Sequence, residues 1–274
     1  RFITPLVPFA ERRTITMNNS IKKIINNIVP MIGRFYLKKL QFTIIYYHDI
    51  VMDGGFSLQQ TNFLIFKNQM EYLAKHGYKT LLFSEVEEFM KYLDRNKEKV
   101  VLITFDDGYI SNYLHAFPIM KELGLKFNIF INTKMIEDND PKYLSIENVK
   151  EMYKSGLVEF GSHTHSHIDA KSVTENELIK EIETCNIRIK EWLGYNTLDF
   201  CYPYGFYSRN TNELLSKYYK RIYTSDCKPL EKRNDSLVRG RIGISTDDTG
   251  YIFKNKLKGN YDVMYLYYKR INSN

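Results

Sequence analysis

The chain has 274 residues, 43% of them hydrophobic and 15% aromatic, which suits one large or two small soluble globular domains with a sizeable core. Its formal charge of +7 is concentrated in the first 40 residues, where eight Lys/Arg (Arg1, Arg12, Arg13, Lys22, Lys23, Arg34, Lys38, Lys39) face only Glu11 and the remainder balances. That distribution, with no nucleic-acid motif, speaks against a nucleic-acid-binding body; three cysteines (Cys185, Cys201, Cys227) without a CxxC speak against a disulfide framework and leave room for one bridge.

The sequence opens on Arg1, and Met17-Asn18-Asn19-Ser20 would make a reasonable native start, leaving residues 1–16 upstream of it. From Ser20 to Tyr36 the apolar residues Ile21, Ile24, Ile25, Ile28, Val29, Ile32 and Phe35 recur at helical spacing among lysines and asparagines, and Pro30 should kink or divide that helix. A basic amphipathic helix can lie in an anionic membrane interface, so residues 20–39 are a candidate peripheral membrane contact; the plainer expectation is that they pack across the bottom of the fold. No run is long and apolar enough for an ordinary transmembrane helix, and no signal peptide is legible. These features point to a cytoplasmic or membrane-peripheral protein.

Beyond residue 40, strand-like runs at Thr43–Tyr47, Val100–Phe105, Lys126–Ile131, Val158–Gly161, Leu198–Tyr202, Arg221–Ser225, Arg239–Ile244 and Val263–Tyr267 alternate with helix-like runs. The latter are Thr61–His76, Ser84–Asp94, Tyr113–Leu123, Ile146–Ser155, Glu175–Leu193 and Arg209–Tyr218. Alternation implies a largely parallel sheet flanked by helices, and this number of units suits a barrel better than an open sheet. No linker or repeat divides the body. The expected organisation is a basic N-terminal extension, 1–40, followed by one α/β domain, 41–274.

Three strand ends carry chemistry. Val100–Phe105 runs into Asp106-Asp107-Gly108-Tyr109: two carboxylates at the end of a barrel strand can divide the labour, one binding a metal and one staying free as a base, with Gly108 allowing the turn. Val158–Gly161 runs into Ser162-His163-Thr164-His165-Ser166-His167, which places three of the six histidines within five residues. His163 and His167 can reach one ion from a helical turn or a compact loop, and with an Asp they make the open His₂/Asp set of a catalytic metal. Leu198–Tyr202 enters Pro203-Tyr204-Gly205, a rigid turn able to offer a backbone N–H to an oxyanion. Singly these are common motifs: Asp-Asp-Gly also caps helices, and Pro-Tyr-Gly is an ordinary turn.

Together they are more specific. Thr104-Phe105-Asp106-Asp107-Gly108, His163-Thr164-x-x-His167 and Pro203-Tyr204, in this order, resemble the TFDDG, H-[ST]-x-x-H and R-x-P-Y motifs of the polysaccharide deacetylase (NodB-homology) family, over roughly residues 41–250. The resemblance implies a distorted (β/α)₇ barrel that hydrolyses N-acetyl groups on sugars. It implies Asp107, His163 and His167 as metal ligands, Asp106 as catalytic base and Tyr204 as the source of an oxyanion-binding N–H. It also raises an extracytoplasmic site as an option for location. Zinc is the default ion for such ligands, with cobalt, manganese and nickel as alternatives. Two departures stand out. The motif's arginine falls on Cys201, so support for the base must come from elsewhere, with Arg239 and Arg241 as candidates. No histidine follows His167, whereas the family's acid lies near the C-terminus. His48, in Tyr46-Tyr47-His48-Asp49, matches the N-terminal Y-H of the branch that deacetylates poly-N-acetylglucosamine and is the candidate acid. Two other readings stay open: a non-catalytic carbohydrate-binding relative and another metallohydrolase such as a phosphoesterase. The sequence does not specify the glycan or the oligomeric state.

Overall fold

The computed structural model describes residues 28–31, 42–54, 59–92, 98–226 and 237–261. At its centre β5 (Val100–Phe105) lies along β1 (Phe42–Tyr47) for six residues, from Phe42↔Val100 to Tyr47↔Phe105. On its other edge it meets β6 (Phe127–Ile131) only at its upper end, Thr104↔Asn128 and Phe105↔Ile129. The short β4 (Lys79–Thr80) fills the lower gap, Lys79↔Val100. The sheet continues through β7 (Val158–Ser162), β8 (Asp199–Cys201), β9 (Arg221–Thr224) and β10 (Val238–Gly240), while β11 (Ile242–Gly243) pairs with β1 at the opposite end of the order. Every ladder of this sheet among the described residues is parallel, so its strands need cover on both faces; β1 and β5 are accordingly buried along their whole length.

The run 239–244, expected as one strand, is two ladders divided at Arg241. Upstream it pairs with β9, and downstream with β1. The Arg241 N–H donates to Thr224 O at 3.1 Å and the Ile244 N–H to Tyr46 O at 3.0 Å. One segment thus changes partners within a residue and closes the sheet into a (β/α) barrel of seven staves.

Alternate residues along a strand go to different cores. Ile45, Tyr47, Val101, Ile103 and Phe105 face an outer layer that includes α1 (Phe63–Lys75), α3 (Phe117–Glu122), α5 (Ile146–Lys154), the long α6 (Glu175–Leu193) and α8 (Gly250–Leu257). Phe42, Ile44, Val100, Leu102, Phe130, Cys201 and Tyr223 face inward, where they meet Phe83, Val86, Phe89 and Met90 of α2 (Phe83–Lys91). That helix follows β4 and stoppers the barrel's lower mouth. Helix starts follow local chemistry: Ser145 and Thr174 accept from the N–H groups of Asn148 and Glu177 in reciprocal capping boxes, and Gly194 ends α6 in the left-handed region. Shorter helices, α4 (Thr133–Glu137) and α7 (Arg209–Leu215), follow β6 and β8.

Several local expectations are revised. Thr61 and Asn62 belong not to a helix but to β3 (Gln60–Asn62), which pairs with β2 (Asp49–Val51) in a small separate sheet; α1 then starts with the Asn62 side chain accepting from the Leu64 N–H. The helix expected from Tyr113 opens as a π-helix, Asn112–Ala116, before α3. Helices α4 and α8 were not foreseen. The strand expected at 263–267 lies outside the described residues, as does the amphipathic stretch 20–39 apart from residues 28–31, which are helical. No helix among the described residues is long and apolar enough to cross a membrane.

A single polar side chain seals the gap between β5 and β6. Buried Asn128 donates to Leu81 O at 2.9 Å and Ile103 O at 3.2 Å, and accepts from the Phe83 N–H at 2.8 Å. Losing those bonds strands three buried backbone groups, each costing about 1–3 kcal/mol. Asn128→Ala is therefore expected to destabilise the protein by about 3 kcal/mol in denaturant unfolding; a loss under about 1 kcal/mol would mean the gap closes without it.

Candidate active site

The upper ends of β5, β7, β8 and β1 converge, where a parallel barrel presents its loops. After β5 the chain turns sharply: the Gly108 N–H donates to Asp106 O at 2.9 Å, and Asp107 and Gly108 both take left-handed backbone, φ 70° and 75°. A Cβ on Gly108 would also lie 3.0 Å from the Ile131 side chain. The turn sends the two carboxylates different ways. Asp106 points into the barrel top and Asp107 towards the β7 loop.

That loop is compact rather than helical. His163 is anchored by its N–H to Ile131 O at 3.0 Å, and Thr164 and His167 take φ values of 64° and 58°. Ser166 fixes the loop to α6 through Glu181, which accepts from both its N–H and its hydroxyl at 2.7 Å. His163 and His167 converge on one oxygen, Asp107 Oδ1, with Nε2 at 3.4 and 3.0 Å. His163 contacts Cys201 O through Nδ1 at 2.8 Å, which orients the ring and directs Nε2 at Asp107. Asp107 Oδ1 is buried yet makes no hydrogen bond of its own. Three ligand atoms about 3.3 Å apart are what tetrahedral bonds of about 2.0–2.1 Å produce, so the donor set fits a divalent ion. Burial pushes the Asp107 carboxyl up, but its histidine partners outweigh this and hold it well below the ordinary value. His165 turns away from this point, its Nδ1 2.9 Å from Thr133 Oγ1.

Asp106 has a different partner. Arg241, at the seam between β10 and β11, grips it with both nitrogens, Nη1–Oδ1 and Nη2–Oδ2, each at 2.7 Å. The guanidinium also donates to Thr104 Oγ1 at 3.0 Å and lies over the Tyr46 and Phe130 rings at 4.7 and 5.3 Å. Burial alone would raise the Asp106 carboxyl; Arg241 reverses that and keeps it below the ordinary value, hence ionised at neutral pH. Cys201 Sγ sits 2.8 Å from Arg241 Nη2, its thiol pushed up by burial. Asp106, His163 and Cys201 also form a cluster with metal-ligand spacing, but Arg241 already occupies the carboxylate there. Of the two candidate arginines, Arg241 is thus the one that meets Asp106. Arg239 approaches the buried Asp199 and Tyr223 further down the barrel, and Asp199 is held bidentately by Arg221, both contacts 2.6 Å.

His48 leaves β1 with its ring half-buried, Nε2 3.9 Å from Asp106 Oδ2. Asn112, in the π-helix, holds its carbonyl at 2.8 Å. Tyr204 completes the ring of expected residues. It sits at φ 59° beside Gly205, where any Cβ would collide with Ser225 Oγ, and its ring packs edge-on against His167 at 4.7 Å. Of the five non-glycine residues with positive φ among those described, Asp107, Thr164, His167 and Tyr204 stand here, a concentration of strain of the kind that marks functional sites. Sequence reasoning missed Thr104, Asn132, whose side chain donates to Asp107 O at 3.1 Å, and the Tyr46–Phe130 sandwich. Strand alternation could have placed Thr104 and Phe130 inside the barrel; nothing local announces Asn132.

The family model "Polysaccharide deacetylase" matches residues 94–222. YxkH of Bacillus subtilis strain 168, named as a polysaccharide deacetylase, is 30% identical over 217 residues, covering 79% of this chain and 76% of the relative. This chain belongs to the polysaccharide deacetylase family. A Staphylococcus aureus (strain MRSA252) poly-β-1,6-N-acetyl-D-glucosamine N-deacetylase is 28% identical over 214 residues, 73% of this chain and 72% of its own. Among solved structures, the Streptococcus pyogenes deacetylase PplD in complex with acetate superposes with a TM-score of 0.73 at 25% identity, covering 81% of this chain and 99% of its own. IcaB from Ammonifex degensii gives 0.68 at 25%, with 82% and 98% covered. Membership makes the chain a carbohydrate N-deacetylase of a metal-dependent family, which disfavours the phosphoesterase alternative.

The Arg241–Asp106 pair has a clear energetic signature. Removing one partner of a buried ion pair costs about 3–5 kcal/mol, because the other charge is stranded. Arg241→Met is expected to lower unfolding stability by that amount, read by denaturant titration; a variant as stable as the parent would show that the pair does not hold the barrel top.

Proposed function

We propose that this chain is a metal-dependent N-deacetylase of glycans rich in N-acetylglucosamine, using one divalent ion, zinc by ligand type, held by Asp107, His163 and His167. The observation that carries the reading is the convergence of those three ligand atoms on one point beside a second carboxylate, Asp106, that is free of the trio and clamped by Arg241. The names of the Staphylococcus aureus relatives support the choice of sugar.

An ion so held would polarise the amide carbonyl and lower the pKa of a bound water from ~15.7 towards ~7. Asp106 takes the proton of the attacking water. Its bidentate grip by Arg241 fixes the carboxylate plane, leaving the remaining lone pairs of Oδ2, the oxygen nearer His48, to accept. The Tyr204 N–H donates to the oxyanion of the tetrahedral carbon. An amine leaves poorly as an anion, so His48 hands its Nε2 proton to nitrogen as the C–N bond breaks. The products are acetate and a free amino sugar. Arg239 has no part in these steps.

Acetate release from N-acetylglucosamine oligomers tests the reading. The protein as isolated should release acetate, lose that activity on chelation and regain it with Zn²⁺, while His163→Ala/His167→Ala should carry no stoichiometric metal by elemental analysis. Full metal content in the double variant would remove the ligand assignment, and acetate release untouched by chelator would remove the metal.

The acid is tested by its leaving group. His48→Ala should slow amide hydrolysis ~10²–10⁴-fold but slow hydrolysis of an activated aryl acetate far less, since a phenolate needs little protonation. Equal losses on both substrates would assign His48 a positional role instead.

A further inference from the structure

A histidine that moves protons is commonly aimed by a hydrogen bond to its second ring nitrogen. His48 is not: its Nδ1 is buried and has no hydrogen-bond partner among the described residues. Its direction depends instead on the backbone that carries it and on an edge-on contact with Tyr46, centroids 5.6 Å apart. That backbone is a joint. Tyr47 is the last residue of β1 in the barrel, and Asp49 the first of β2, which belongs to the small separate sheet with β3. His48 lies between the two sheets and in neither.

The chain that follows β5 spans this joint. At its start the Asp106 N–H donates to Tyr47 O at 3.0 Å. Further along, buried Asn112 donates through Nδ2 to His48 O at 2.8 Å. Its neighbour Ser111, also buried, accepts from the Ile50 N–H at 2.9 Å and donates to Asp49 Oδ1 at 2.6 Å. Residues 47 to 50 are thus fastened one after another by a single stretch, 106–112, whose first residue is the proposed base. The π turn suits this arrangement. Pairing of the Phe117 N–H with Asn112 O widens the turn, so Asn112 can face His48 while Ala116, Phe117 and Met120 pack into the outer core. Asn112 Oδ1 is buried with no hydrogen-bond partner among the described residues. A half-paired buried amide costs stability that an apolar side chain would keep, so packing alone does not explain an asparagine here.

We infer that Ser111 and Asn112 are positioning residues for the proposed acid: they lock the joint at residues 48–50 and so keep His48 Nε2 aimed at the leaving nitrogen, in fixed register with Asp106. This rests on the deacetylase reading above. Neither side chain touches the reacting atoms; both act through His48.

The test uses the metal-loaded protein and two substrates, an N-acetylglucosamine oligomer and an activated aryl acetate, compared as the ratio of their kcat values. Asn112→Ala and Ser111→Ala should each lower the amide-to-ester ratio about ten- to a hundredfold, because only the amide needs a proton from His48, with metal content unchanged. Ser111→Thr, which keeps the hydroxyl, should restore the ratio. Ser111→Ala removes a single oxygen and carries the test if Asn112→Ala does not fold. In a His48→Ala background the same substitutions should leave the ratio where His48→Ala alone puts it, since residues that act through one group are not additive. A merely structural role would slow both substrates together. A ratio unmoved in the folded variants, or lowered further in the His48→Ala background, would overturn the inference. Nuclear magnetic resonance of isotope-labelled histidine rings gives a readout without turnover. The His48 signal, identified by its loss in His48→Ala, should shift or broaden in both alanine variants. That change without acetate release from any substrate would keep the positioning role and remove the deacetylase reading. Acetate release with the ratio and the His48 signal unmoved by the alanine variants would do the reverse.

Discussion

A guanidinium buried at the barrel's closing seam does two jobs that are usually separate. The Arg241 backbone is where the last stave leaves β9 for β1, and its side chain reaches across to Thr104 and Asp106 on β5. Taking both charges out of water is costly, and the cost is offset only because every donor direction is used, on two carboxylate oxygens, a threonine hydroxyl, the Thr224 carbonyl and the Cys201 sulfur, while the cation lies over two aromatic faces. Tertiary closure and the ionisation of the proposed base are therefore one interaction. Asp106 is ionised and aimed because the barrel is shut; the barrel top tolerates a buried carboxylate because Arg241 is there.

The proposed metal trio illustrates a complementary rule. Its histidines are brought together not by helical spacing but by backbone that L-residues adopt reluctantly, at roughly 1–2 kcal/mol each. Asp107, Thr164, His167 and Tyr204 hold these conformations because surrounding contacts over-determine them, including Glu181 on the Ser166 loop and the close Gly205–Ser225 approach.

How much of this could be read from sequence depends on how local the signal is. Strands such as Val100–Phe105 were legible because a parallel strand buried on both faces is an unbroken apolar run, and Asp106, Asp107, His163 and His167 because each motif sits directly after one. The barrel itself follows from alternation. Three things were not legible. The split of 239–244 at Arg241 depends on which neighbours each half finds, and both halves look like one strand. The choice of Arg241 over Arg239 depends on side-chain direction along that stave, which alternation alone leaves open when the strand is interrupted between them. The start of α1 was obscured because Thr61 and Asn62 serve first as strand and then as cap.

The seam also governs where this fold can change length. Most of its loops run over the surface, where added residues cost little more than loop-closure entropy. Between Gly240 and Ile242 the situation is different. Side chains along extended backbone alternate between faces, so one residue inserted or deleted beside Arg241 would rotate the guanidinium out of the barrel or throw β11 out of register with β1. A lineage carrying this architecture can lengthen, shorten or re-clothe its rim while the spacing at this junction stays fixed. Diversity in substrate should accordingly be sought in the loops and not in the staves.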